Sequence, residues 1–353
     1  MALGGGTFTS QDKILAGTYV NVISGHINTD ELSSRGVVGV LFAGTTTTDF
    51  PVDTVKKVLA EEFEKKAKDF FGVAATDESL QPIREILKNA HTVYVYKVDS
   101  TTHKDTQVAT NHTAFLDAIQ NYPVNVVVCG DTTAVETYVE FATKMRNDYG
   151  VKLQVVVPYT SGLTAPNNEG VICVYDNANL VYWVGGASAG CAINKSLTNT
   201  VYNGELELAI SHTQEELITL LQTGYFVFHK VGDEVRVLED INTLTESDDA
   251  NVDVEVMKYN QTVRIVDQIA TDSAVIFNNE FIGKVQNNED GRISLWNRIV
   301  SHRKNLETLG AIENYNSADT KVLAGETNRS VVINDKITVV NAMSQLYLTV
   351  VVQ

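Results

Sequence analysis

The chain has 353 residues, of which 44% are hydrophobic and 20% are charged, and its formal net charge is −17. This length exceeds what one compact core normally holds, so we expect two or three domains. So acidic a surface repels phosphate backbones, which argues against nucleic-acid binding. The sequence contains no apolar stretch of about 18 residues, so no membrane span is predicted.

The first residues predict an extended arm that leads into the fold. Residues 1–17 are rich in glycine and polar residues and carry no secretory leader, while Thr18–Ser24 has a short strand pattern. Gly36–Gly44 is a nearly continuous apolar strand of the buried kind. Asp49 and Pro51 are predicted to begin a helix. Its apolar stripe consists of Val55, Leu59, Phe63 and Phe70.

Helices and apolar strands then alternate. The predicted elements are helix Glu78–Ala90, strand Thr92–Val98, helix Thr113–Tyr122, strand Val124–Cys129, helix Thr132–Tyr149, strand Lys152–Pro158 and strand Gly170–Tyr175. This order is typical of βαβ units, so we predict an α/β outer domain with a largely parallel sheet.

The second half of the chain predicts further elements around a linker. The small residues of Val184–Ile193 indicate a helix packed closely on a neighbour, and the acidic segment Ser247–Glu255 is the best candidate linker. The other predicted elements are helix Thr213–Gln222, a hairpin of Tyr225–Val231 and Glu234–Leu238, helices near Asn260–Ile282 and Gly291–Leu309, and a β-pair of Val331–Val340 with Leu346–Val352.

The last eleven residues, Met343–Gln353, form an uncharged strand pattern. Unpaired strands are usually protected by lysine, proline or a covering loop, because a bare edge is a template for another chain. This segment has none of these, so it is either buried in its own sheet or made to pair with a neighbouring copy. Its alternating aliphatic residues are Leu346, Leu348, Val350 and Val352.

No catalytic, metal or cofactor site is predicted. The stretch Gly185–Gly190 follows a strand and opens a helix, but it matches no phosphate-binding motif, so close packing is the favoured interpretation. Asp131 follows a strand, where an N-cap is commoner than a catalytic carboxylate. His103 and His112 flank a polar loop and are interpreted as solvated. The three cysteines are expected to be reduced, buried thiols.

One charged segment stands out in this acidic chain. From Lys284 to Lys304 there are five cations against two anions. It is either a helix surface that balances acidic surroundings or a contact surface for an acidic partner.

Several motifs together resemble the contractile tail sheath proteins of bacteriophages and phage-tail-like (R-type) bacteriocins, in the short form of Gram-positive hosts. The residues that carry the resemblance are Gly190–Thr198, Glu234–Thr245, Ile265–Asp267, Phe281–Val285 and, more loosely, Asn341–Met343. Asp240 stands where the family usually has glycine before the turn at Asn242–Leu244.

The resemblance implies an α/β outer domain (25–246), an α+β domain facing an inner tube (247–342) and extended strand arms at 1–24 and 343–353. In the family these arms add strands to sheets of neighbouring subunits, and the six-fold helical sleeve contracts to drive the tube through a bacterial envelope. No cofactor is implied. The partners are further copies, the inner tube protein, and baseplate and tail-terminator proteins, in a virion tail or tail-like particle assembled in the host cytoplasm.

Carried over to this sequence, the resemblance places the acceptor strand near Val331–Val340. The expected arm residues are Tyr19, Val20, Val22, Leu346, Leu348, Val350 and Val352, and the candidate tube contacts are Arg292, Arg298, Arg303 and Lys304. Two alternatives stay open at this point: an α/β enzyme that binds a small ligand near Gly185–Gly190 and Asp131, and a shell or surface-layer protein.

Overall fold

The computed structural model describes residues 35–104, 106–160, 162 and 164–352. The predicted N-terminal arm, with Tyr19, Val20 and Val22, lies outside the described residues and stays a prediction.

A seven-stranded sheet organises the N-terminal two thirds of the described chain, where the sequence predicts an α/β domain. Its order is β2-β3-β1-β4-β5-β6-β7, and all neighbours run parallel except the edge pair β2–β3. The strands are β1 Val37–Gly44, β2 Thr54–Leu59, β3 Thr92–Asp99, β4 Val126–Val128, β5 Gln154–Pro158, β6 Val171–Val174 and β7 Tyr225–Phe226. The predicted α/β class with a largely parallel sheet is therefore confirmed.

Helices cover both faces of the sheet, because its strands are apolar on both sides. Side chains such as Val38 and Val126 pack on one face with α1, α2 and α5, and side chains such as Val127 and Val155 pack on the other face with α3 and α4. The helices are α1 Phe63–Phe71, α2 Gln81–Leu87, α3 Thr106–Ile119, α4 Val135–Asn147, α5 Leu180–Gly190 and α6 Gln214–Gln222.

The helix predicted from Asp49 and Pro51 is wrong in its first half. Thr54–Leu59 is strand β2, antiparallel to β3, and the helix begins only at Phe63. Val55 and Leu59 are four residues apart, a spacing that fits a strand face as well as a helix face. Pairing with β3 decides between the two.

Helices and short hairpins make up the C-terminal region. Its helices are α7 Val254–Met257, α8 Asn260–Ile276, which continues as a π-helical turn at Phe277–Phe281, and α9 Glu289–Thr308. Its strands, with the hairpin that precedes them, are β8 Phe228–Val231, β9 Glu234–Val237, β10 Ile312–Glu313, β11 Lys321–Ala324, β12 Val331–Asn334 and β13 Thr338–Val339.

Two strand pairings differ from the sequence-based prediction. Tyr225–Phe226 joins the central sheet instead of the hairpin, whose first strand is β8. The predicted β-pair of Val331–Val340 with Leu346–Val352 is also wrong. Instead, β12 pairs with β11 and β13 pairs with β10, so the terminal residues have no strand partner in the described chain.

Buried polar contacts join α8 to the outer domain. Arg146 of α4 forms a two-pronged ion pair with Asp267, with Nη–Oδ distances of 2.7 and 2.9 Å. Asp240, which is 1% exposed, accepts from Arg264 Nη2 at 2.6 Å and from the Leu197 amide at 2.9 Å. The Asp240 carboxylate therefore has a structural use, since it binds α8 to the segment after α5.

Candidate assembly surface

The C-terminal arm, described here for residues 343–352, extends away from the folded body. Leu346 is 86% exposed and Val352 is 88% exposed, and no main-chain group of the arm makes a hydrogen bond within the described chain. Soluble proteins rarely leave a contiguous apolar segment in water, so such a segment marks an interaction site.

Helix α8 fixes the point where the arm leaves the body. The Gln261 amide group donates to the Val340 carbonyl at 3.2 Å and accepts from the Ala342 amide at 2.9 Å. Thr262 Oγ1 donates to the Asn341 side chain at 3.1 Å. The arm is thus held up to Ala342, and residues 343–352 have no attachment to the rest of the described chain.

This arrangement can perform strand addition. An extended segment with unpaired main-chain groups can join a sheet edge on another molecule, where hydrogen bonds give affinity and alternate side chains fill pockets. Strands β12 and β13 come shortly before the arm in the chain. Each pairs on only one side within the described residues, so each offers an edge to which a strand could be added. Leu323 on β11, the partner of β12, is 48% exposed.

The basic helix α9 offers fewer free cations than its sequence suggests. Arg298 Nε contacts Glu280 Oε1 at 3.0 Å, and Arg292 Nη1 donates to the Asn287 side chain at 3.1 Å. Arg303 is 3% exposed and its Nε contacts Asp335 Oδ2 at 2.6 Å. The prediction that Arg303 contacts a partner is therefore wrong for this conformation, because the side chain is interior. Lys304 is exposed.

The glycine-rich stretch has no room for a ligand. A Cβ on Gly186 would lie 2.2 Å from the Ile86 carbonyl oxygen, and a Cβ on Gly190 would lie 2.0 Å from the Asn89 carbonyl oxygen. The glycines allow α5 to approach α2 and the segment that follows it, so the favoured interpretation, close packing, is the one that fits.

Asp131 is not the N-cap of α4, which begins at Val135 without a side-chain cap. Its carboxylate accepts from the Thr133 amide at 2.7 Å and forms the turn before the helix. His112 is buried rather than solvated, because Thr106–Ile119 is one helix that turns it inward to Tyr138, 2.8 Å from its Nδ1. Burial lowers the pKa of His112, as expected for a packed, neutral ring.

The thiols of Cys129 and Cys173 are buried, and Cys191 is partly exposed. Burial raises the pKa of both buried thiols to about 12, which makes them poor nucleophiles. Among the described residues, no three His, Cys, Asp or Glu side chains are grouped to hold a metal ion. No helix in the described ranges is both long and apolar enough to cross a bilayer.

The anchors of the arm could not be recognised from the sequence. Gln261 and Thr262 are each at most 3% exposed, although both are polar. The one available signal is a run of uncharged polar residues that opens a helix otherwise facing the core. Its partners at 340–342 lie about 80 residues further along the chain.

Comparison with known proteins agrees with this description. The family model for the phage tail sheath protein central domain matches residues 106–243, and that for the phage tail sheath C-terminal domain matches residues 252–353. The Bacillus subtilis phage-like element PBSX protein XkdK is 26% identical over 268 residues, 69% of this chain and 56% of that protein. The uncharacterized protein YqbK of the same organism is 29% identical over 179 residues. That second match covers 46% of this chain and 37% of YqbK, so the chain spans only part of these relatives.

Solved structures share the fold across nearly the whole chain. The sheath tail protein from Desulfitobacterium hafniense superposes with a TM-score of 0.75 at 21% identity, covering 94% of this chain and 99% of that one. The anti-feeding prophage helical sheath in its contracted state gives a TM-score of 0.71 at 14% identity, covering 98% and 99%. The family matches and the shared fold are those of structural tail sheath proteins rather than enzymes. The chain belongs to the phage tail sheath protein family.

Proposed function

We propose that this chain polymerises as a six-fold helical sleeve around an inner tube, and that contraction of the sleeve drives the tube through a bacterial envelope. Each subunit is linked to its neighbours by strand exchange. The partners in this proposal are further copies of the chain, an inner tube protein, and the baseplate and tail-terminator proteins. The particle is a virion tail or tail-like particle assembled in the host cytoplasm.

The exposed C-terminal arm carries the proposal. Burying one Leu or Val side chain contributes about 1.5–3 kcal/mol, so the four alternating aliphatic residues Leu346, Leu348, Val350 and Val352 offer roughly 6–12 kcal/mol before the cost of ordering. A free subunit gains none of this, because these side chains are at least 71% exposed in it. No part of the described chain covers them, so the proposal assigns their burial to a second molecule.

The acceptor in this proposal lies within Val331–Val340, whose strands β12 and β13 have an open side in the described chain. The N-terminal arm, at Tyr19, Val20 and Val22, supplies a further strand from a neighbour. Because each subunit both gives and receives strands, the links form a mesh that keeps subunits joined while their relative positions change.

Basic residues on α9 are proposed to contact the inner tube. Lys304 is exposed, while Arg292 and Arg298 are half-buried and are held at the surface by Asn287 and Glu280. A surface of this sign within a chain of net charge −17 favours an acidic partner.

Electron microscopy of the purified chain tests the proposal, comparing the full sequence with a variant that lacks Leu346–Gln353. We expect tubes or striated cylinders from the full chain, and folded particles without tubes from the truncated one. Because the arm makes no hydrogen bond to the body, urea unfolding of the truncated subunit should agree with the full chain to about 0.5 kcal/mol.

A matched control is Thr349→Val, which keeps the strand pattern and should keep the tubes. Tubes from the truncated chain would overturn the role of the arm. Flat arrays from the full chain would favour a shell or surface-layer protein, and discrete particles alone would oppose self-assembly.

A further inference from the structure

A buried row of polar side chains crosses the C-terminal region from α8 to the turn between β12 and β13. His302 of α9 lies at its centre and is 1% exposed. On one side, His302 Nε2 is 3.4 Å from Asp272 Oδ2 of α8. On the other side, His302 Nδ1 is 2.6 Å from Arg303 Nη1. Buried polar groups placed this closely depend on the correct proton positions.

The neighbours of His302 determine where its proton is. A guanidinium can only donate hydrogen bonds, so Arg303 Nη1 donates and Nδ1 must accept. The neutral ring therefore carries its hydrogen on Nε2, directed at the Asp272 carboxylate. The other oxygen of Asp272 accepts from Gln268 Nε2 at 3.0 Å. Only the neutral, Nε2-protonated ring fits both sides.

Arg303 connects His302 to the turn between β12 and β13. Its Nε donates to Asp335 Oδ2 at 2.6 Å, and Asp335 Oδ1 accepts from Thr320 Oγ1 at 2.7 Å. Asp335 directly follows β12 and precedes β13, after which the chain reaches the arm. The neutral His302 thus holds Arg303 where it fixes the turn between these two strands.

We propose that His302 is an acid-sensitive switch, which fixes the β12–β13 turn when neutral and releases it when protonated. A proton on Nδ1 removes the acceptor for Arg303 Nη1 and places two positive charges side by side. Because the guanidinium must then move, its contact with Asp335 is lost.

Some of the charged and titratable groups around the ring raise the pKa of His302, and others lower it. Those that face this row are Asp272 from α8, Arg298 and Arg303 from α9, Asp335 from the β12–β13 turn, Tyr315 from the segment after β10, and Arg35, which interacts with Asp272 from before β1. Burial is the largest influence and lowers the pKa of His302 from 6.5 to about 4, with the two arginines adding to this and Asp272 opposing it.

The lowered pKa of His302 determines how the stability of the native chain changes with pH. Between pH 6.5 and pH 4 the unfolded chain binds a proton at His302 that the native chain does not, so stability falls as the pH is lowered through that window. Above pH 6.5 this contribution to stability is fully present. Near pH 4 the native ring itself becomes protonated, which is where the switch operates.

Hydrogen exchange of the isolated subunit at pH 7 and pH 4, corrected for intrinsic rates, tests the switch. In the wild type we expect exchange of residues 331–342 to rise about tenfold or more at pH 4. In His302→Gln, whose amide can accept from Arg303 and donate to Asp272 without titrating, we expect less than about a twofold rise. His112→Gln, a change at another buried histidine, should respond like the wild type.

An equal acid response in wild type and His302→Gln would overturn the proposal, as would unchanged exchange in the wild type. If His302→Gln does not fold, NMR titration of the His302 ring in the wild-type subunit decides instead. Titration below about pH 5 supports the switch, and titration near the ordinary value of about 6.5 overturns it. The test uses single subunits, so its outcome is independent of whether the chain forms a sheath.

Discussion

Edge strand β2 and the C-terminal arm both have an unpaired side in the described chain, but β2 carries charged side chains and the arm does not. β2 carries Lys56 and Lys57 beside its apolar residues, and Lys56 Nζ also donates to the Asp49 carbonyl at 3.0 Å. The arm carries no charge over Met343–Gln353. Charged residues on an edge prevent strands from other molecules from pairing with it. The chain therefore protects the edge of its central sheet and leaves the arm open.

The two regions also differ in how they belong to the fold. Val58 of β2 is 1% exposed and lies in the main core, so β2 serves the stability of the subunit. The arm contributes nothing to that core, since Leu348 is 75% exposed. A change in the arm should therefore alter assembly without altering folding, and a change in the body should do the reverse.

The largest effect is expected when the arm is given the charge that protects β2. In the double variant Leu348→Lys and Val350→Lys, each pairing loses about 3–6 kcal/mol of apolar burial, because two aliphatic side chains are replaced. We expect tube formation to fall more than a hundredfold in sedimentation assays, with unchanged urea unfolding.

The matched control is Ser344→Lys, which adds a charge before the aliphatic run and should assemble. Normal sedimentation of the double variant would show that the arm is not a pairing strand. The absence of charge in the arm would then not explain why it differs from β2.

A smaller effect, on the stability of the subunit and not on its assembly, is expected from a change in the folded body. Asp267→Ala removes the two-pronged partner of Arg146 on α8 and leaves this side chain, which is 3% exposed, with Glu169 as its remaining ion-pair partner, 3.1 Å from Nε. Removing one member of a buried ion pair costs about 3–5 kcal/mol, so urea unfolding should shift by that amount.

Adding Arg146→Met to Asp267→Ala should restore part of the loss, because the buried guanidinium is removed, although Glu169, whose Oε1 lies 3.1 Å from Arg146 Nε, then loses its partner. Unfolding of Asp267→Ala within about 1 kcal/mol of the wild type would mean that this contact is not what joins α8 to the outer domain.

The sequence predicted the regular part of the fold well, for a physical reason. Strands such as Thr92–Asp99 are apolar runs between helical patterns, and this local signal is sufficient for a buried parallel sheet. The signal failed for Thr54–Leu59, where the apolar spacing fits two periods. It also failed for Val331–Val340, whose strand partners are β11 and β10 rather than the arm.

The contacts that support the assembly surface were beyond sequence reasoning. Arg146 and Asp267 are 121 positions apart in the chain, and no local pattern indicates that they meet. His302 and Arg303 appear in the sequence as part of a basic helix surface, although the fold turns both inward. The exposed arm was visible because its aliphatic alternation and lack of charge are local properties.

The most direct test of the central claim is a disulfide between two chains. Two proteins are made in a Cys191→Ser background, one with Leu348→Cys in the arm and one with Ile333→Cys in β12, and they are mixed before assembly and oxidised. Strand exchange predicts a mixed dimer linked by a disulfide, and little linkage when the chain with Leu348→Cys also carries Leu346→Lys and Val350→Lys, which prevent its arm from pairing. Assembled tubes without any such linkage across a scan of neighbouring arm positions would contradict the account.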